Sequence, residues 1–339
     1  MAVMPPARRP ARPARPAPPA HRRGLVVLSA VMLGAVSVSA CSSGTNDTSS
    51  SATTNSTTPP TTAPCRSAAA AQTHRYASYE GVDPNLTSLD LYLPAVTEPC
   101  QARPLVVWVH GGSWGGGDKK DFIADKVTLF NGAGYAFASV NYRLTDADVP
   151  NPWRWPVHDQ DGADAVAWLV HHASEFGIDR ARVAVLGHSA GGGIVAAISA
   201  DARYLGHMQL PLDAITCAGS MDGEGYDVVA GNTTSPPEYR PIYADAFGTD
   251  PAVWAEASPI RYVAANKGIP HYFVAARGPE WRMQQHRAWI DALKKAGVPV
   301  TVLDAQQLEH SDLAVDVGAP GDTIVTPALM SFLQGCFAK

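Results

Sequence analysis

The chain has no Cys-x-x-Cys pair and no clustered histidines and cysteines; its five cysteines are scattered over 339 residues. That spacing offers a metal no ligand set, and no metal or other cofactor is expected. His171 and His172 fall in a helical pattern and read as surface residues rather than as a ligand pair. Charge is also scarce, at 17% of residues with a net of −5. Because this balance includes an arginine-rich leader, the remainder is more acidic still, and nucleic acid is not an expected partner. No internal repeat is visible, which removes stacked-repeat architectures. Apolar residues are plentiful at 46%, enough for the core of a globular domain.

Three composition zones divide the chain. Residues 1–23 are rich in Arg, Pro and Ala, and an uncharged apolar run then ends in Val38, Ser39, Ala40 and Cys41. This pattern resembles a bacterial lipoprotein signal, which implies cleavage after residue 40 and a lipid on the Cys41 thiol. The apolar run from Gly24 to Ala40 is shorter than the roughly twenty residues a bilayer span requires. Residues 41–64 are almost entirely Ser, Thr, Pro, Asn and Ala, too polar to bury a core, and read as a tether. Together they predict an exported protein held at the outer face of a cell membrane by its lipid. Residues 65–339 form the expected folded domain. Export makes disulfides available to the four remaining cysteines, Cys65, Cys100, Cys217 and Cys336. Three pairings are open, of which Cys65 with Cys100 and Cys217 with Cys336 is preferred.

Within the folded part, strand patterns recur near residues 73–80, 88–93, 104–109, 136–142, 183–186, 213–218, 270–276 and 298–304. Helical patterns separate the later ones, as at 161–175 and 281–295. Such alternation predicts a mostly parallel sheet covered on both faces, with the working residues at the carboxyl ends of its strands. Gly187-His188-Ser189-Ala190-Gly191 lies between an apolar strand pattern and a small-residue helical stretch. It therefore reads as a serine on a sharp strand-to-helix turn, and Ser189 is the candidate nucleophile. Upstream, the strand pattern from Pro104 to Val109 runs into His110-Gly111-Gly112-Ser113-Trp114. A glycine-rich loop there can turn backbone N–H groups toward a developing oxyanion.

The segments HGGSWGGGDK (110–119), VNYRL (140–144), EFGIDRARVAVLGHSAGG (175–192) and EHSDLAVDVGAPGD (309–322) resemble those of α/β-hydrolase esterases. The similarity is greatest to the HGG branch that holds hormone-sensitive-lipase-like, feruloyl-esterase-like and kynurenine-formamidase-like enzymes. This implies an α/β-hydrolase fold with an eight-stranded, mostly parallel sheet over about residues 73–338. The backbone N–H groups of Gly112 and Ser113, with that of Ala190, are then the implied oxyanion hole. Ser113 replaces a third glycine and leaves the loop less free to adopt positive φ. His110 is expected to fix the loop, and Asp118, Tyr142, Arg143 and Asp161 to buttress it.

The expected triad order is serine, acid, histidine. His310, in a loop after the last strand pattern, is the implied base; His271 and His286 lie within a strand and a helix and read as packing or surface residues. The usual Gly-x-x-Asp after the seventh strand is not spelled, and aligning residues 272–280 with it puts Glu280 in the aspartate's place. Asp222, and after it Glu224, just beyond the sixth strand, are the alternatives; Asp304 sits too near a strand interior. Water as acyl acceptor makes this a serine carboxylesterase for short-chain or aryl esters. An arylformamidase-type amidase, an acyltransferase and a catalytically silent binding module of the same fold remain alternatives. Trp114 and Trp281 are expected to bound the pocket, and the aromatics of 222–259 to form either a partial lid or ordinary packing.

Overall fold

The computed structural model describes residues 70–95, 101–149 and 152–338. The signal segment, Cys41, the tether, Cys65 and Cys100 lie outside these residues.

Among the described residues eight strands form one sheet: β1 (Gln72–Arg75), β2 (Ser88–Tyr92), β3 (Arg103–Val109), β4 (Ala136–Val140), β5 (Ile178–His188), β6 (Cys217–Met221), β7 (His271–Ala276) and β8 (Val300–Asp304). Their order across the sheet is β1-β2-β4-β3-β5-β6-β7-β8. β1 and β2 enter antiparallel, and every pairing from β4 through β8 is parallel. The helices are α1 (Ala124–Gly132), α2 (Val157–His171), α3 (Ala190–Ala200), α4 (Ala202–Gly206), α5 (Val228–Thr233), α6 (Arg240–Phe247), α7 (Pro251–Glu256), α8 (Glu280–Lys295), α9 (Asp312–Val315) and α10 (Val325–Phe337). This is the α/β-hydrolase fold.

Period-two alternation sorts the central strands between two cores. Leu105, Val107 and Val109 of β3 face a cluster with Val185, Ile194, Leu169 and Trp289. Val106 and Trp108 face the other, with Leu186, Phe273, Leu329 and Phe332. Each such fully buried aliphatic or aromatic side chain contributes about 1.5–3 kcal/mol. Strands buried on both faces read as unbroken apolar runs, which is why the central ones were visible in the sequence.

β6 departs from expectation in a way that matters for the site. The pattern predicts it at 213–218, yet the strand begins at Cys217 and runs through Gly219 and Ser220 to Met221. Gly219 is there because a Cβ would come within 2.9 Å of Leu186 Cδ2 and 3.3 Å of Phe273 Cβ; strand and neighbours approach too closely for a side chain. The shift puts Asp222 at the carboxyl end of a central strand. A disulfide joins Cys217, at the start of β6, to Cys336 near the end of α10, closing a sequence separation of 119 residues. Closing a loop that long stabilises a fold by about 4–5 kcal/mol in the chain-entropy account.

Candidate active site

β5 ends at His188 and α3 begins at Ala190, leaving Ser189 between them at φ 53° and ψ −123°. Such a conformation costs a non-glycine residue about 1–3 kcal/mol and persists only where its surroundings enforce it. The enforcement is visible. The Ser189 N–H donates to the Met221 carbonyl at 3.1 Å, and its own carbonyl accepts from Gly192 at 2.9 Å and Glu224 at 3.1 Å. A Cβ on Gly187 would lie 2.3 Å from the Gly191 carbonyl oxygen, and one on Gly191 2.3 Å from that of Val109. Gly187 is therefore required for strand and helix to close on the turn, and Gly191 for the start of α3 to lie against the end of β3.

The loop after β3 stands directly against this serine: a Cβ on Gly111 would fall 3.0 Å from Ser189 Cβ. Gly112, Ser113 and Trp114 follow at φ 122°, 54° and 59°, so Ser113 takes the positive φ that a serine adopts reluctantly. The Gly112 carbonyl accepts from the Gly115 and Gly116 amides at 3.1 and 2.9 Å, which curls the loop. Among the described residues, neither the Gly112 nor the Ser113 N–H donates to another protein group. Ala190 opens α3, so its N–H has no acceptor within the helix either. His110 stacks on Tyr142 with ring centroids 4.4 Å apart, and the Tyr142 hydroxyl donates to the His110 carbonyl at 3.1 Å. Arg143 forms an ion pair of 2.6 Å with buried Asp161, and Asp118 accepts from Asn141 at 3.0 Å. A cavity of about 190 Å³ lies beside the loop, lined in part by Trp108, Gly111, Gly112, Phe122 and His188.

His310 follows β8 and precedes α9. Its Nδ1 lies 2.6 Å from Asp222 Oδ2. In the neutral ring that contact takes the proton on Nδ1 and puts the lone pair on Nε2. The His188 ring, centred 4.5 Å from that of His310, ties the same loop to the elbow: its Nε2 is 2.8 Å from the His310 carbonyl oxygen and donates to it. Burial, with the neighbouring His310 adding to it, pushes His188 down to about 3, so it stays neutral at ordinary pH.

Glu280 stands elsewhere. It opens α8 on the surface, its side chain 69% exposed, with its carboxylate paired to Arg287 and Gln284. The carboxylate on His310 belongs to Asp222, which corrects the expectation from the Gly-x-x-Asp alignment. The reason is burial. Asp222 has no exposed surface, and it is faced by His310, His286, Arg277 and Arg282. Burial alone would raise its carboxyl, but the hydrogen bonds from His286 and His310 and the charge of Arg282 outweigh it and hold the group well below the usual range. Glu224 completes the cluster as the partner of buried Arg282.

Three of these residues were not legible in the sequence. Arg277 follows β7; Arg282 and His286 lie on α8 with Trp289 and Leu293, on one buried stripe at helical spacing. The signal that could have found them is this one: a charged and a titratable residue on the apolar face of an amphipathic helix need a buried partner. Trp114 likewise differs from expectation. It is 2% exposed and packs on Tyr243 and Phe247 at 5.7 and 5.0 Å, so it belongs to the core under the loop. Tyr226 and Tyr243 are buried too, which makes these aromatics of the 222–259 segment packing residues. Trp281 is half-buried against Tyr239 at 4.9 Å. Among the described residues no group of three or more His, Cys, Asp or Glu could hold a metal, and no helix is long and apolar enough to cross a membrane.

Residues 89–275, which span the glycine-rich loop after β3, the turn at Ser189 and Asp222, match the BD-FAE family. The chain belongs to this family. Among curated proteins it is similar to ethyl acetate hydrolase of Pseudomonas putida, 36% identical over 106 residues that cover 31% of each chain. It also resembles esterase LipI of Mycobacterium tuberculosis, 26% identical over 241 residues, 70% of this chain and 74% of that one. The match thus spans about a third of the first relative and three quarters of the second. Among solved structures, esterase B of Lactobacillus rhamnosis superposes with a TM-score of 0.61 at 19% identity, covering 81% of this chain and 88% of that one.

Proposed function

We propose that this BD-FAE family member is a serine carboxylesterase of the HGG branch that works through an acyl-enzyme, with Ser189 as nucleophile, His310 as base and Asp222 as acid. The observation that carries the reading is the 2.6 Å contact between His310 Nδ1 and Asp222 Oδ2, beside an elbow serine. It fixes the tautomer a general base needs.

Ser189 attacks the acyl carbon while His310 Nε2 takes its proton. The tetrahedral oxyanion meets the N–H groups of Gly112, Ser113 and Ala190; losing one such donor typically costs about 3–4 kcal/mol of transition-state stabilisation. Asp222 stabilises the imidazolium without accepting its proton. His310 then returns the proton to the leaving alkoxide, and water, activated by the same imidazole, discharges the acyl group. An alkoxide leaves more readily than an amine, which favours esters. The names of the relatives agree with ester hydrolysis.

The test is turnover of p-nitrophenyl esters from acetate to palmitate by the folded protein and by Ser189→Ala, with N-formylkynurenine as competitor. Short-ester turnover that falls at least about 10³-fold in the variant supports the reading. Preference for the formamide would reassign the enzyme as an amidase, and no turnover by folded protein would leave a silent binding module. The lipid anchor on Cys41 belongs to this proposal: labelled fatty acid should enter the wild-type protein expressed in a bacterium and not Cys41→Ala.

A further inference from the structure

Asp222 is held asymmetrically. Oδ2 faces three groups: His310 Nδ1 at 2.6 Å, Arg282 at 3.3 Å and Arg277 at 3.5 Å. Oδ1 has a single partner among the described residues, His286 Nε2 at 3.0 Å. The torsion that turns a carboxylate is soft and has no strong preferred value of its own. With three donors on one oxygen, what prevents the group from rotating to share both oxygens among them is the contact on the other.

His286 is built for that contact. It has no exposed surface and its ring packs edge-on to Tyr226 with centroids 5.7 Å apart. Its Nδ1 is buried with no hydrogen-bond partner. A proton on Nδ1 would be stranded without an acceptor, so the geometry suits the neutral ring with its one N–H on Nε2, aimed at Asp222. The ring lies on α8, whereas His310 lies after β8. The acid at the end of β6 is thus clamped between two histidines from different elements, of which His310 has exposed side-chain surface and His286 has none.

We propose that His286 is a positioning residue for the reaction. By donating to Oδ1 it locks the Asp222 carboxylate in the rotation that presents Oδ2 to His310. This rests on the hydrolase reading above and adds to it a residue that never touches substrate.

The experiment compares His286→Gln, whose amide restores a donor, with His286→Met, which has similar volume and none. Three quantities are read on full-length folded protein: kcat and KM for a short p-nitrophenyl ester, the thermal midpoint, and the low-field NMR resonance of the His310 Nδ1 proton. A short, charge-assisted hydrogen bond to a carboxylate deshields that proton strongly. The expected result for the Met variant is a kcat lowered roughly ten- to a hundredfold, the scale of a small misplacement in a catalytic array. Its KM stays within about twofold, and the low-field resonance is lost or broadened. The Gln variant should keep both kcat and the resonance. If the Met variant does not fold, His286→Asn, whose amide is too short to reach Oδ1, serves in its place. A folded Met or Asn variant with wild-type kcat and an intact resonance overturns the proposal, as does a folded Gln variant as impaired as Met. Should the wild type show no Ser189-dependent turnover, the hydrolase reading fails instead, and the resonance alone decides whether His286 holds Asp222.

Discussion

The carboxyl ends of β6 and β7 offer two sites for an acid, and the chain puts a carboxylate near each. Asp222, one residue past β6, is fully buried among two arginines and two histidines. Glu280, four residues past β7, is exposed and paired with Arg287 on the surface. Both are carboxylates ahead of His310 in the chain. What separates them is α8: its first turn carries Glu280 outward, and the stripe of Arg282 and His286 carries positive charge and a donor inward to Asp222. A carboxylate becomes useful to an imidazole when its neighbours hold it charged and oriented out of water, and an exposed ion pair supplies neither.

Breaking the buried member should have the largest effect. On the proposed mechanism, Asp222→Asn removes the charge that would stabilise the imidazolium and favours the wrong His310 tautomer; kcat for a short ester should fall about 10⁴-fold, measured at saturating substrate. Next comes the support beneath it. Arg282→Met leaves Glu224 buried without its partner and strips Asp222 of a neighbouring charge, which should cost about 3–5 kcal/mol in chemical denaturation.

The same site predicts a pH dependence. Asp222 is held below its ordinary value in the folded state, so the unfolded chain binds its proton at higher pH than the native one. Its stabilising contribution is fully present above the unfolded carboxyl value of roughly 4 and is lost as pH falls through the folded one. Unfolding free energy followed from pH 6 downward should therefore drop more steeply for the wild type than for Asp222→Asn. Glu280→Gln should do least: kcat within about twofold and stability within about 0.5 kcal/mol, as for an exposed pair. A loss of activity in Glu280→Gln comparable to that in Asp222→Asn would reverse the comparison.

The parts of this molecule that were legible in its sequence are those whose physics is local. The strand patterns flanking the elbow are set by their own residues, and the glycines at 187, 112 and 117 by backbone within a few residues of themselves. Boundaries were less so. The pattern at 213–218 ends before Gly219 and Ser220, whereas between β5 and β7 the glycine is what lets the strands pack and β6 runs on to Met221. The acid differs from the aligned position for a related reason: the interval from strand to carboxylate can be counted along the chain, but the partners of that carboxylate come from the loop after β7, from α8 and from the loop after β8.

From its residues alone, then, the chain determined a mostly parallel sheet with helices on both faces, a serine at a sharp turn and a glycine loop upstream of it. Periodicity and steric demands of single residues are short-range, and they survive without knowledge of the fold. Only the tertiary structure decided that Trp114 is core, that His286 and Arg282 face inward, and that Asp222 rather than Glu280 meets His310. Charge state and orientation depend on burial, and a side chain is buried by residues that the linear order keeps far away.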